Sequence, residues 1–151
     1  MILSSLRDTK KLAEKIGKKI SKNDTLLFHG EIGVGKTTFV RNLVHFIQKK
    51  NKKKKTEVLS PTFNIVYEYK IKNSTIMHYD FYRLKNSHEI NHLDLFLDNN
   101  KVINLIEWPE LIKSKPKNRL ELFFSYLKNL DKREVKIEYY GKWKKYDFEK
   151  N

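Results

Sequence analysis

The chain has 151 residues, 39% of them hydrophobic and 13% aromatic, which is enough for one packed core in one domain. It contains no cysteine, which excludes a disulfide framework, thiolate zinc sites and cysteine nucleophiles. Lysine and arginine number 32 against 18 acids; the resulting +14 attracts polyanions, RNA above all, although a lysine-biased composition would give the same balance.

The opening MILSSLRDTKKLAEKIGKKI alternates apolar with charged residues. It lacks the unbroken apolar stretch of a signal peptide or membrane span, so a cytoplasmic location is expected. Leu6, Leu12, Ala13, Ile16 and Ile20 recur at near-helical spacing and predict an amphipathic helix. TLLFH, ending at Gly30, suits a buried strand, and TTFVRNLVHFIQKK places Phe39, Leu43, Phe46 and Ile47 on one face of a second helix. The lysine-rich run 49–55 reads as a solvated helix end or loop. NIVYEYKI and TIMHYDF predict a hairpin turning at KNS, HEINHLDLFLDNN a helix through Ile90, Leu93, Phe96 and Leu97, and KVINLIEW an apolar strand ending in an acid. RLELFFSYL and EVKIEYY predict a second hairpin. The expected architecture is one α/β domain over residues 1–142. Its mixed central sheet is parallel around the glycine loop, antiparallel towards the C-terminal hairpin, and flanked by helices. Residues 143–151 are expected to be a frayed or lightly docked basic tail.

Between the first strand and the second helix lies GEIGVGKT, which meets the phosphate-loop pattern G-x-x-x-x-G-K-[ST] at every fixed position. Gly30, Gly33 and Gly35 let the backbone curl so that N–H groups from Gly33 to Thr38 face phosphate oxygens, above the positive end of the helix. Lys36, read as a surface loop cation, can reach the β and γ phosphates; Thr37 can ligate magnesium, and Thr38 can donate to the α phosphate. Two acids at strand ends, Asp80 and Glu107, are candidates to hold magnesium or orient the attacking water. The apolar strand leading into Glu107 favours that residue.

GEIGVGKTTFVR, SPTF, HYDFYRL and LIEWPE, in that order and at these spacings, resemble the bacterial TsaE (YjeE) family from about Thr9 to the C-terminal hairpin. The resemblance implies a magnesium-dependent ATPase that binds ATP, with ADP as the bound product. It works with TsaB and TsaD to make threonylcarbamoyladenosine beside the anticodon of tRNAs reading codons that begin with A. It implies further that Ile32, Gly33, Val34, Gly35, Lys36 and Thr37 form the nucleotide loop and that Thr62, in the Ser60–Phe63 segment, senses the γ phosphate. Thr37 and Glu107 would hold the metal, with Asp80 as supporting acid. Trp108 matches a tryptophan beside the site, Glu110 is a candidate nucleoside contact, and Thr9 lies near the expected base pocket. Ile32 and Val34 stand where Leu and Ala are frequent, and the lysines at 52–55 are not a family signature, leaving contact with tRNA indirect or weakly electrostatic.

HEINH fits H-E-x-x-H, but it lacks a third ligand in view and reads better as surface histidines. Arg41 and Arg83 are possible phosphate contacts, Arg41 more naturally facing solvent. A small P-loop kinase would need an acceptor pocket and an arginine-bearing lid. A nucleotide-gated docking module would hydrolyse little on its own.

Overall fold

The two strands at the middle of the sheet alternate their side chains between two apolar layers, because successive residues point to opposite faces. In β2 (Thr25–His29), Leu26 and Phe28 enter one core while Leu27 enters the other. In β5 (Val102–Glu107), Ile103 and Leu105 enter the first and Ile106 the second. The computed structural model describes residues 1–93, 95, 96, 101–128 and 132–150. Its other strands are β1 (Ile2–Leu3), β3 (Val66–Ile71), β4 (Ser74–Asp80), β6 (Arg119–Tyr126) and β7 (Arg133–Tyr140). They form one sheet in the order β1-β7-β6-β2-β5-β4-β3. The centre, β6-β2-β5-β4, is parallel; the β3–β4 and β6–β7 pairs are antiparallel, as is β1 against β7. The mixed α/β sheet expected from the sequence is therefore present, with antiparallel hairpins at both edges.

Helices α1 (Leu6–Gly17) and α2 (Lys36–Lys50) lie together over the first face, burying Leu12, Ala13 and Ile16 with Phe39, Val40, Leu43 and Ile47. Ser5 starts α1 by accepting a hydrogen bond from the Asp8 N–H. The two helices pack closely at Gly17, where an added Cβ would fall 2.5 Å from a Phe46 ring carbon.

Two expectations are corrected. Of the helix predicted over 88–100, the described residues form only α3 (Ser87–Asn91), opened by a capping box between Asn86 and Glu89. Ile90 and Leu95 both enter the second core, a spacing of five residues that one helix face does not provide. Leu97 lies outside the described residues. The second correction concerns the C-terminus, which is not frayed over its described part: Trp143 and Phe148 are buried in the main core, and a short 3-10 helix (Gly141–Lys145) carries Trp143 inward. Phe148 N–H donates to Tyr139 Oη at 2.9 Å, and Glu149 accepts from Ile137 N–H at 2.9 Å. Apolar area at two positions outweighs the surrounding lysines. Trp143→Ala is expected to cost about 3–5 kcal/mol of stability, measured by urea unfolding. A variant as stable as the parent would return the segment to a peripheral role.

Candidate functional site

The parallel strands deliver their C-terminal ends to one edge of the sheet, and β2 runs directly into the glycine loop there. Gly30 has φ 129°, and a Cβ at this position would sit 2.3 Å from the Phe124 carbonyl oxygen on β6, so only glycine lets the loop leave β2 against its neighbour. Gly35 has φ 115°, and a Cβ there would meet nothing within 4 Å, so this part of the loop faces open space. It is also the N-cap of α2. It offers no side-chain cap, and the first turn of the helix has no acid. The helix start therefore presents N–H groups and its positive end to the cleft.

The C-terminal hairpin braces this loop from outside. Tyr126 Oη donates to the Ile32 carbonyl at 3.2 Å, and Arg133 Nε donates to the Val34 carbonyl at 3.1 Å, with the Arg133 guanidinium 4.5 Å from the Tyr126 ring. Sequence reading missed both residues, since nothing local links positions 126 and 133 to a loop nearly a hundred residues earlier.

A groove of about 600 Å³ opens beside the loop. It is lined by Ile32, Gly33, Gly35, Lys36, Thr37 and Thr38, and on the other side by Ser60, Thr62, Asp80 and Glu107, with Phe63, Tyr82, Arg83 and Trp108 also in its wall. Register explains the acids: Asp80 of β4 lies opposite Glu107 of β5, which in turn lies opposite Phe28 of β2, two residues before the loop. Both carboxylates are buried and hydrogen-bonded. Glu107 Oε2 accepts from Thr37 Oγ1 at 3.0 Å, and Oε1 lies 2.9 Å from His78 Nε2. Asp80 Oδ2 accepts from Ser60 Oγ at 2.5 Å and Thr62 Oγ1 at 2.8 Å, while Oδ1 accepts from the Tyr82 N–H at 2.9 Å. The two acids thus hold different partners. Glu107 is joined to the loop threonine, and Asp80 fixes the Ser60–Thr62 segment and the start of the Tyr82–Arg83 turn. His78, fully buried and not identified from the sequence, is a further site residue; the available signal was its place two residues before Asp80 on the same strand face.

Lys36 is buried, contrary to the expected surface loop cation. Its Nζ donates to the carbonyls of Gly30 at 2.6 Å and Glu31 at 2.8 Å and sits 4.0 Å from the Trp108 ring centre. Burial lowers its pKa from the ordinary lysine value, opposed by the charges of Glu107, Asp80 and Glu110. Trp108 itself adopts φ 58°, ψ 58°, an uncommon conformation for a bulky residue that costs about 1–3 kcal/mol and turns its ring over Lys36.

The remaining predicted residues divide between two places. Thr9 and Val34 line a smaller cleft of about 190 Å³ on the far side of the loop, together with Gly33, Gly35, Thr38 and Arg133. Glu110 lines neither cleft; it stands on a 3-10 helix (Pro109–Leu111), its Oε1 3.1 Å from His29 Nδ1. The opposite His29 nitrogen is 2.9 Å from buried Glu121, which also accepts from Lys115 and Arg119. Burial pushes Glu110 and Glu121 up, but hydrogen bonds from these cationic and imidazole neighbours outweigh it, and both carboxyls titrate below the usual range. Arg83 stacks 4.8 Å from the exposed Phe63 ring at the groove rim, whereas Arg41 lies outside the groove and donates to the Val58 carbonyl at 2.9 Å. Glu89 of the HEINH stretch accepts from the backbone N–H groups of Lys85 and Asn86 in the α3 cap. Among the described residues no cluster of three His, Cys, Asp or Glu side chains could hold a metal.

A mixed α/β sheet whose central parallel strand enters a glycine loop and then an uncapped helix defines a P-loop NTPase-like domain. The crystal structure of Bacillus subtilis YdiB shares this fold, with a TM-score of 0.72 over 96% of this chain and 88% of that one at 24% identity. Residues 3–135 match the family described as threonylcarbamoyl adenosine biosynthesis protein TsaE, and the chain belongs to that family. Proteins named tRNA threonylcarbamoyladenosine biosynthesis protein TsaE from Rickettsia conorii and Rickettsia felis are 42% identical over 111 and 113 residues, 74% and 75% of this chain. The matched stretch spans 61% and 64% of those two relatives. The Rickettsia typhi protein of the same name is 40% identical over 74% of each chain.

Proposed function

We propose that the chain is the ATP-binding and ATP-hydrolysing subunit that supports threonylcarbamoylation of the adenosine beside the anticodon, acting in the cytoplasm with TsaB and TsaD homologues on tRNAs that read codons beginning with A. The observation that carries the reading is the meeting of Lys36, Thr37 and Glu107 at the uncapped start of α2. Among the described residues no helix is long and apolar enough to cross a membrane.

The residues fit a magnesium nucleotide. The Thr37 hydroxyl and the Glu107 carboxylate, 3.0 Å apart, are hard oxygen donors of the type magnesium takes alongside phosphate oxygens. Magnesium, when bound, supplies positive charge that neutralises phosphate oxygens during transfer. Backbone N–H groups of the loop and the α2 start bind the phosphates, and Lys36 leaves the Gly30 and Glu31 carbonyls to add its charge there. Glu107 serves as metal ligand, held in orientation by His78. Asp80 positions Ser60 and Thr62 at the γ-phosphate end and can orient the attacking water. Thr9 and Thr38, in the smaller cleft, belong to the nucleoside side. Glu110, paired with His29, acts on the site only through its charge on Lys36.

The test is a tRNA threonylcarbamoylation assay with purified TsaB and TsaD homologues, with and without this chain and with ATP turnover followed in parallel. Repeated rounds of modification should need the chain, and turnover should rise when the partners are added. Sustained modification without it would overturn the coupling, and absence of nucleotide binding would overturn the site.

A further inference from the structure

The charge excess has a place in the fold that the nucleotide site does not use. Helices α1 and α2 both begin at the phosphate loop and end at the opposite pole, where the parallel strands start. A groove of about 400 Å³ there brings the end of α1 at Gly17, with Ile20 and Lys22, against the end of α2 at Ile47 and Lys50. Lys18 and Lys19 follow α1 on the surface, Lys101 leads into β5, and the exposed lysines 52–55 extend from the end of α2. Among the described residues none of these ammonium groups forms an ion pair. At this pole Asp24 is buried and held by Lys142 at 2.7 Å, so it does not offset them, and exposed Glu57 at the end of the loop stands against four lysines.

Lysines at a helix C-terminus favour the helix dipole, which accounts for Lys49 and Lys50 but not for the four that follow. Those four stand on a closed loop. Buried Gln48 donates from Nε2 to Thr56 Oγ1 at 2.8 Å, accepts from Thr56 N–H at 3.2 Å, and takes the Lys53 N–H on its carbonyl at 2.9 Å. The loop is thus preorganised, which reduces the entropy lost when several cations engage one polyanion. An anionic membrane is the poorer fit, because surface helices that bind lipid add an apolar face. Here the exposed Ile32, Phe63 and Tyr82 lie at the other pole, around the nucleotide groove.

We propose that this lysine pole docks the sugar–phosphate backbone of a folded RNA, through phosphate contacts alone and without reading bases, while the nucleotide groove stays free. The inference goes beyond ATP hydrolysis and does not depend on it. The β2 strand between the poles spans roughly 17 Å at about 3.3 Å per residue, so RNA and nucleotide do not compete.

The experiment measures binding of the full chain to an unmodified tRNA transcript by fluorescence anisotropy across 50–200 mM salt. Four to six phosphate contacts give a log–log slope of roughly −3 to −5. The combined Lys52→Gln, Lys53→Gln, Lys54→Gln and Lys55→Gln variant should lose at least about tenfold in affinity at low salt and flatten the slope by roughly 2–3, with ATP binding unchanged. A variant of equal charge change at exposed lysines away from this pole, Lys10 in the middle of α1, Lys85 before α3, and Lys128 and Lys132 between β6 and β7, each turned to Gln, should keep most of the affinity. Unchanged RNA binding in the first variant, equal loss in both, or displacement of RNA by ATP would each overturn the proposal. So would loss of binding to phosphatidylserine vesicles in the first variant with RNA binding intact.

Discussion

Lys36→Ala is expected to weaken ATP binding by roughly ten- to a hundredfold, the equivalent of one charge-assisted contact of about 1.5–3 kcal/mol, and to lower turnover further. The ammonium is the cation set closest to the loop, and it is held by two backbone carbonyls and the Trp108 ring. Burial disfavours its charge, so the ammonium gains from a phosphate brought beside it. Because the side chain is buried, the alanine variant also removes packing. Lys36→Met keeps the stem and separates the two effects: it should retain the thermal midpoint of the parent while losing nucleotide affinity. Calorimetric titration with ATP and thermal unfolding of both variants make the test. Tight binding and normal turnover in the methionine variant would sink the assignment of the loop.

Glu107→Gln is expected to reduce hydrolysis by roughly a hundred- to a thousandfold while changing ATP affinity much less, because the carboxylate acts on metal and water geometry and not on the bulk of phosphate binding. Glutamine can keep the contacts with Thr37 Oγ1 and His78 Nε2 but brings no charge. Glu107→Ala should in addition lose about 1–3 kcal/mol of stability, since the His78 imidazole is then buried without its partner. Single-turnover hydrolysis and urea unfolding distinguish these losses. Equal falls in binding, turnover and stability for the glutamine variant would mark Glu107 as structural. The neighbouring Asp80→Asn should instead disturb Ser60 and Thr62, its two hydroxyl partners, and so change the response to the γ phosphate relative to ADP.

What the sequence determined by itself was whatever physical chemistry writes locally. A glycine loop between an apolar strand and an amphipathic helix is specified within about twenty residues, because the turn needs glycine at set positions and each flanking element has its own hydrophobic period. The two hairpins were legible for the same reason, and so were Asp80 and Glu107 as acids at strand ends. Periodicity carries no record of which strands become neighbours. Only the tertiary structure brought β5 between β2 and β4, which set Glu107 beside Thr37 and His78 and set Asp80 against Ser60 and Thr62. It alone decided that Arg133 and Tyr126 brace the loop and that Glu110 turns to His29 instead of either cleft. It also folded Trp143 and Phe148 into the core although lysines surround them in sequence, because the free energy of burying two large rings depends on a site assembled from distant strands and helices. The burial of Lys36 is shared between the two: the local motif names the cation and supplies the Gly30 and Glu31 carbonyls, but the tryptophan ring that covers it arrives only when the β2 and β5 ends meet.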